Sequence, residues 1–425
     1  MAGMMIAARA FAQARWRAHR LRTRADIMRH QERQIERLIN EKLVHLPYYQ
    51  GATSADFAAL PIIDKQILLR HFAQLNRAGL SADEVRVALD AGQSRIGNHV
   101  IGRSTGTSGN RGYYVISDAE RFVWLGTILA KALPDALWRR HRVALCLPGI
   151  SDLYQSASSG SRIALGAFDL AEGVDHWRGD LLRFRPDTIV APPKVLRHLA
   201  ESGELGARNI FSAAEVLDPI DREIIEGNTG QQVREIYMAT EGLFGVSCAH
   251  GTLHLAEDVV KFEWQRPDAQ GDLVSPIVTD FTRGEQAMVR YRMNDLLLLS
   301  NAPCPCGSPY QAVARVEGRQ DDIFQLASSD GSLKMVTPDV LRNAVIDADP
   351  LIRDYRIVQT GASAVTVTLA ADMPERMDVT VRAKLAERLA PFHIAPLSVR
   401  FERGLDLPFD RKLRRVRREW SADAP

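Results

Sequence analysis

Residues 104–112 read STGTSGNRG and run into the apolar stretch YYVI at 113–116. Four hydroxyls and three glycines within nine residues can offer side-chain donors and backbone N–H groups to an anion, because glycine lets the backbone come close. A polar surface turn has the same composition, so the stretch is decided by what it is not and by what accompanies it. A Walker A loop needs lysine followed by Ser or Thr, and no lysine in the chain is followed by either. A dinucleotide fingerprint needs G-x-G-x-x-G, and the chain contains no G-x-G. Gly102-Arg103-Ser104-Thr105-Gly106 does match G-x-S-x-G. That nucleophile elbow requires a strand, a tight turn and an immediate helix. Here further glycines and the strand-like YYVIS follow, which predicts strand, long loop, strand and argues against a serine hydrolase.

The rest of the chain sets limits on this loop. At 425 residues it exceeds one ordinary core, and two or three domains are expected. With 46% hydrophobic and 25% charged residues and a net charge of +2, it carries no global field to recruit nucleic acid or anionic lipid. Four cysteines, Cys146, Cys248, Cys304 and Cys306, are too few for a disulfide scaffold and favour a reducing, cytoplasmic setting. No apolar run approaches the ~18 residues of a membrane span, so stable insertion is not expected. The first thirty residues hold seven arginines and one acid, Asp26. A transit peptide or membrane-surface helix would show this bias. The reading adopted is one amphipathic leading helix continuing through RHQERQIERLINEKL, since no apolar h-region or cleavage pattern intervenes.

Beyond it, LPYYQ and LPIIDK read as proline-started turns, and strand and helix patterns then alternate. VALCLP (143–148) and DTIVAPP (187–193) read as buried strands. Ser117 and Glu120 form a capping box ahead of Phe122, Leu125, Leu129 and Ala132 on one helical face. KVLRHLAESG is a second helix ending at Gly203. Residues 250–300 turn to strands. The last hundred residues read strand, glycine turn, strand, helix, Pro391, strand, a small α+β unit. The expected fold is α/β, with a large domain of mixed sheets and helices over 1–321, its first fifty residues a leading helical segment, and a small α+β domain over 322–425.

Downstream of the loop come Ala213-Ala214-Glu215, Tyr237-Met-Ala-Thr240-Glu241-Gly242, Tyr291-Arg292-Met293-Asn294-Asp295 and Gly318-Arg319-Gln320-Asp321-Asp322. In this order and spacing the series resembles the adenylate-forming superfamily of acyl-CoA synthetases and adenylation domains. It looks closest to the branch of phenylacetate-CoA ligases and deazaflavin-cofactor adenylylating synthetases, over about residues 40–420. The resemblance implies that Ser104, Thr105, Gly106, Thr107, Ser108 and Gly109 hold the β- and γ-phosphates of ATP, and that Ala214 and Glu215 border the adenine. It implies that Tyr237 stacks on the base, Thr240 meets the α-phosphate, Glu241 binds Mg²⁺ as a hard oxygen ligand, Asp295 accepts from the ribose and Arg319 contacts the nucleotide. Asp321 would be the hinge on which the small domain turns.

Near the end, Asp410-Arg411-Lys412-Leu413-Arg414-Arg415-Val416 is similar to the family's terminal motif, whose lysine, here Lys412, enters the site for the first half-reaction. A positioned ammonium stabilises the charge that builds when a carboxylate attacks the α-phosphate. A solvated basic tail is the competing reading, since six of the eight residues from Arg411 to Arg418 are basic. Departures are Asn110 where the family has lysine, Arg411 and Asn294 where it has glycine, and no Lys-x-x-Gly after Asp322. Cys304-Pro305-Cys306 with Cys248 and His254, His250 in reserve, is a set suited to structural Zn²⁺; the alternative is free thiols near a turn. Cys146 reads as a buried small hydrophobe.

The resemblance implies ATP-dependent activation of a carboxylic acid, an aromatic one such as a hydroxybenzoate or phenylacetate, through an acyl-adenylate. A phosphopantetheine thiol of coenzyme A or an acyl carrier protein would then take the acyl group. Tyr154 and Phe168 are candidate acid-pocket residues. An amide-forming or AMP-transferring enzyme, and a non-catalytic nucleotide-binding protein, remain as alternatives.

Overall fold

In a computed structural model of the chain, residues 2–104, 112–148, 162–267, 271–405, 408–409 and 412–422 are described. The leading segment is two helices, α1 (Ala2–Arg20) and α2 (Arg24–Arg37), not the single one expected. Thr23 caps α2 by accepting from the Asp26 N–H, while the Asp26 carboxylate accepts from the Thr23 N–H at 3.0 Å. This reciprocal box satisfies donors that a continuing helix would not free, so the chain restarts there. The arginine bias is also accounted for in part. Asp258, fully inside, accepts from Arg17 Nε at 3.0 Å and Lys131 Nζ at 2.6 Å, and its backbone carbonyl accepts from His30 Nε2 at 2.8 Å. Burial alone would raise the Asp258 pKa; the two cations hold it at about 2.

Short helices α3 (Lys65–Arg70) and α4 (Ala82–Asp90) lead to β1 (Arg95–Ile96), β2 (His99–Arg103) and β3 (Tyr113–Ser117), a three-stranded antiparallel sheet. The loop at 104–112 therefore joins two antiparallel strands, and no helix follows it directly, so the elbow reading lacks its context. Ser104 closes the loop base: its N–H donates to the Gly112 carbonyl at 2.8 Å, and its Oγ accepts from the Gly112 N–H at 2.9 Å. Ser117 then caps α5 (Asp118–Ala132) in the expected box with Glu120.

The large sheet begins with β4 (His141–Leu147), β5 (Ile163–Asp169), β6 (Thr188–Ala191), β7 (Asn209–Ser212) and β8 (Val233–Ala239), all parallel. Between the last four strands run α6 (Val174–Phe184), α7 (Pro193–Glu201) and α8 (Pro219–Thr229). Antiparallel strands complete it: β9 (Gly242–Ser247), β10 (Leu253–Leu255), β11 (Val260–Gln265), β12 (Leu273–Asp280), β13 (Tyr291–Arg292), β14 (Asp295–Ser300) and β15 (Ala312–Arg319). Spatial order runs β11-β12-β14-β15-β10-β9-β8-β7-β6-β4-β5, with β13 beside β12. The order reverses at β4, a topological switch whose carboxyl edge is where open α/β sheets take ligands.

Strand alternation splits the sheet's two faces. Ala144 and Cys146 of β4 join the core under α6 and α7, while Val143 and Leu145 face α5 and α1. Cys146 is thus a buried hydrophobe, its thiol pKa pushed up by burial to about 12. The contact of α1 with α5 is close because Gly126 lacks a side chain: a Cβ there would lie 2.1 Å from the Ala7 carbonyl oxygen.

A separate core draws only on residues from Phe324 to Val416. It comprises the hairpin β16 (Phe324–Ala327) and β17 (Leu333–Val336), helices α9 (Pro338–Ile346) and α10 (Arg376–Leu389), and a four-stranded sheet. That sheet contains β18 (Tyr355–Gly361), β19 (Ala364–Leu369), β20 (Ser398–Arg403) and β21 (Val416–Arg418) in the order β20-β19-β18-β21. Basic residues 412–418 are not a solvated tail. Val416–Arg418 pair with β18, and Arg415 is 9% exposed at its side chain. No helix among the described residues is long and apolar enough to cross a membrane.

Candidate active site

At the carboxyl end of β8 the antiparallel turn into β9 places Thr240 and Glu241 at the sheet's edge. Two sequence motifs interlock there. The Tyr237 hydroxyl donates to Asp295 Oδ2 at 2.8 Å, and the Tyr291 hydroxyl donates to Glu241 Oε1 at 3.2 Å. Burial raises the pKa of Glu241, Asp295 and Tyr237 alike, as expected for ionisable groups taken out of water. The Tyr237 ring packs against Phe244 with centroids 5.4 Å apart.

A cavity of about 1070 Å³ opens at this edge. Its walls bring together Ser104, Ala214, Glu215, Tyr237, Thr240, Glu241, Asp295, Arg319, Asp321 and Lys412, residues spread over more than three hundred positions of chain. Thr105, Gly106, Thr107, Ser108 and Gly109, with Asn110, Tyr154 and Arg411, lie outside the described residues. Asp321, the predicted hinge, accepts from Asn294 Nδ2 at 2.6 Å, so Asn294 at the family's glycine position touches it.

Lys412 reaches the cavity because its neighbours are anchored. The Leu413 N–H donates to Glu215 Oε2 at 3.4 Å, and Arg414 pairs with Asp322. Arg415 closes a ring of four charges: Nη1 meets Asp221 at 2.6 Å and Nη2 meets Asp354 at 2.9 Å, while Arg197 meets the same aspartates at 3.2 and 3.1 Å. Arg197 and Asp221 belong to α7 and α8; Asp354 and Arg415 flank the small sheet. Burial pushes the Lys412 pKa down, Arg319 adds to that, and Glu215, Asp295 and Glu241 oppose it.

Three contributors escaped the sequence reading. Lys65, at the start of α3, lines the cavity, and its Cε lies 3.5 Å from where a Gly112 Cβ would stand. Burial lowers its pKa, and the charge of Glu241 opposes that. Nothing in LPIIDK marked it except a turn, although Asp64 does cap the helix. Lys194 is 8% exposed and holds Glu215 at 3.3 Å and the Pro408 carbonyl at 2.8 Å. Ser212, at the end of β7, lines the cavity with an Oγ that has no hydrogen-bond partner among the described residues. A buried hydroxyl in that state is a ready contact for a ligand. One expectation fails: Phe168 does not line the cavity. It points to the opposite face of β5, packed on Trp177 and Phe184, because its register places it beside Cys146, not Leu145.

Away from the cavity, Cys248, His254, Cys304 and Cys306 present ligand atoms all within 4.8 Å of one another. Cys248 and Cys304 sulfurs are 3.7 Å apart, and Cys306 Sγ is 3.3 Å from His254 Nε2. Tetrahedral zinc with ~2.3 Å bonds to sulfur sets sulfurs ~3.8 Å apart. His254 Nδ1 donates to the Tyr310 carbonyl at 3.1 Å, the outer contact that leaves Nε2 free to ligate. The donor set therefore fits the ion, with His254 and not His250 as the fourth member.

No protein-family model matches the chain, and no curated protein sequence matches it. Solved structures do. 2-Hydroxyisobutyryl-CoA ligase in the postadenylation state, in complex with R3-HIB-AMP, has a TM-score of 0.69 at 17% identity, covering 93% of this chain and 90% of that one. The same ligase with 2-HIB-AMP and CoA in the thioesterification state gives 0.56 at 19%, over 94% and 91%. ATP-bound MatB from Rhodopseudomonas palustris gives 0.51 at 18%, over 71% and 63%. The chain has the fold of adenylate-forming acyl-CoA ligases.

Proposed function

We propose that the protein activates a carboxylic acid with ATP. The carboxylate attacks the α-phosphorus, pyrophosphate leaves, and the acyl-adenylate then yields its acyl group to a phosphopantetheine thiol of coenzyme A or a carrier protein, releasing AMP. The observation that carries this reading is Lys412 in one cavity with Glu241, Asp295 and Arg319, joined from a separate core. The greater likeness to a postadenylation than to a thioesterification state, 0.69 against 0.56, supports a first-step arrangement.

In this mechanism Lys412 and Arg319 stabilise charge building on the α-phosphate and acid oxygens. Asp295, already an acceptor for Tyr237, takes the ribose hydroxyls. Thr240 and the 104–112 loop orient the phosphates, with Lys65 as a cation beside the loop. Glu241 is a half-buried carboxylate facing the cavity and fits Mg²⁺, which when bound neutralises phosphate charge. The segment 322–425 would turn about Asp321 between the two steps. The Cys248, His254, Cys304, Cys306 cluster would hold structural Zn²⁺. An aromatic acid is the substrate class that the sequence resemblance implies.

The test is ATP-dependent pyrophosphate release over a panel of carboxylic acids, with and without coenzyme A, for the wild type and Lys412→Ala. Release that needs one class of acid and Lys412 supports the proposal; ATP binding without release from any acid overturns it.

A further inference from the structure

The cavity has a long apolar limb behind the carboxyl edge of the sheet. Its walls are α5 on one side and β4, β5 and β6 on the other, with Leu125, Leu129, Leu133, Val143, Leu145 and Leu165 among the lining residues. Lining residues recur at every fourth position, Leu125 and Leu129 on α5 and Leu133 capping its end, so one helical face borders the limb along its length. On β4 the lining runs from Leu147, at the site end, to Val143, at the far end. Four residues of strand span ~13 Å. Extended backbone advances ~3.5 Å for three bonds, so an extended carbon chain needs about ten to twelve bonds to fill that length. The limb then reaches the surface near Leu137, which is 43% exposed.

The polar side chains toward the far end of the limb, Thr188 and Arg162, are engaged with protein partners. Thr188 gives its hydroxyl to Asp187 at 2.8 Å and accepts from Asn209 at 3.2 Å, and Arg162 donates to the Leu137 and Trp138 carbonyls at 2.9 and 3.2 Å. A phenol or amine on the acid would be buried there without a partner, at a cost. A single ring would leave most of the limb empty.

We infer that the acid is an unbranched apolar chain of about ten to twelve carbons, lying along the face of α5. This rests on the acid-activating reading above. Each buried methylene is worth roughly a fourfold gain, so kcat/KM rises on the order of 10² from hexanoate to decanoate and then levels off.

The experiment measures pyrophosphate release by the full chain with unbranched acids from butanoate to dodecanoate, beside benzoate, phenylacetate and 4-hydroxybenzoate. Calorimetric binding of decanoate without ATP is measured in parallel, for wild type, Leu129→Trp and Leu165→Trp. The expected result is a stepwise gain with chain length that both tryptophan variants abolish, together with decanoate binding that they weaken at least tenfold. A best acid of four carbons or fewer, or a single-ring acid better than decanoate, overturns the inference and leaves acid activation standing. Decanoate binding sensitive to Leu129→Trp without any pyrophosphate release keeps the chain chamber and overturns acid activation. No decanoate binding and no chain-length dependence overturn the inference.

Discussion

Replacing Arg415 by Met tests whether the four-charge ring positions Lys412. The side chains of Arg415 and Asp221 are 9% and 1% exposed, and Arg415 contributes 2.6 and 2.9 Å contacts to Asp221 and Asp354. Breaking a buried pair by deleting one partner costs ~3–5 kcal/mol, because the other charge stays buried. Arg197 still faces both aspartates, so the lower end, ~3 kcal/mol, applies here. That corresponds to a loss of ~10² in the docked arrangement. Pyrophosphate release at saturating ATP should fall accordingly, up to the loss seen for Lys412→Ala. Thioester formation from a supplied acyl-adenylate and coenzyme A, a step that the proposed mechanism does not route through Lys412, should be retained. Circular dichroism and a thermal melt establish that the variant is folded. Unchanged pyrophosphate release in a folded Arg415→Met protein would refute the reasoning, as would equal loss of both half-reactions.

Lys412→Ala itself should lower pyrophosphate release by ~10²–10³ while ATP binding by calorimetry persists. Burial raises the Glu241 pKa above its ordinary 4.5 and lowers that of Lys412 below 10.5. The carboxylate is thus lost as pH falls and the ammonium as pH rises, so the kcat profile is a bell with both limbs inside those values. Lys412→Arg, in whatever activity it retains, should extend the alkaline limb, and a profile flat to pH 10 would contradict the assignment. Asp258, at about 2 when folded against 3.8 unfolded, contributes about 2 kcal/mol above pH 3.8 that is lost as pH falls towards 2. Denaturation midpoints of wild type and Asp258→Asn should differ most at neutral pH and converge in acid. Cys306→Ala should reduce bound zinc, measured by mass spectrometry, and lower the melting temperature; a zinc-free wild type would rule out the metal site.

The chemistry-bearing motifs were legible because each is short and self-contained. Tyr237 to Gly242 is a single strand and turn, and Asp295 opens a strand, so the order and spacing of these short motifs, through the family they resemble, suggested a site. What was not legible depends on partners far apart in sequence. Lys194 meets Glu215, and Arg415 meets Asp221, across 21 and 194 positions, and neither pairing has a local signature. The basic run at 411–418 kept a solvated tail as its competing reading, since composition does not say which arginines will be buried. The break between α1 and α2 did have a signal, Thr23 three residues before Asp26, hidden within a strongly periodic helical pattern. Phe168 was misplaced because strand parity, fixed by its register with Cys146, decides which face a residue serves.

Met4 and Ala7 of α1 line the cavity, and Gly126 lets that helix lie directly on α5. The first turns of α1 therefore form part of the cavity wall beside α5. Polypeptide fused ahead of Met4, or a deletion that removes α1, would act on the choice of acid and not merely on solubility. Comparative assays of this protein are best made with any added sequence placed elsewhere.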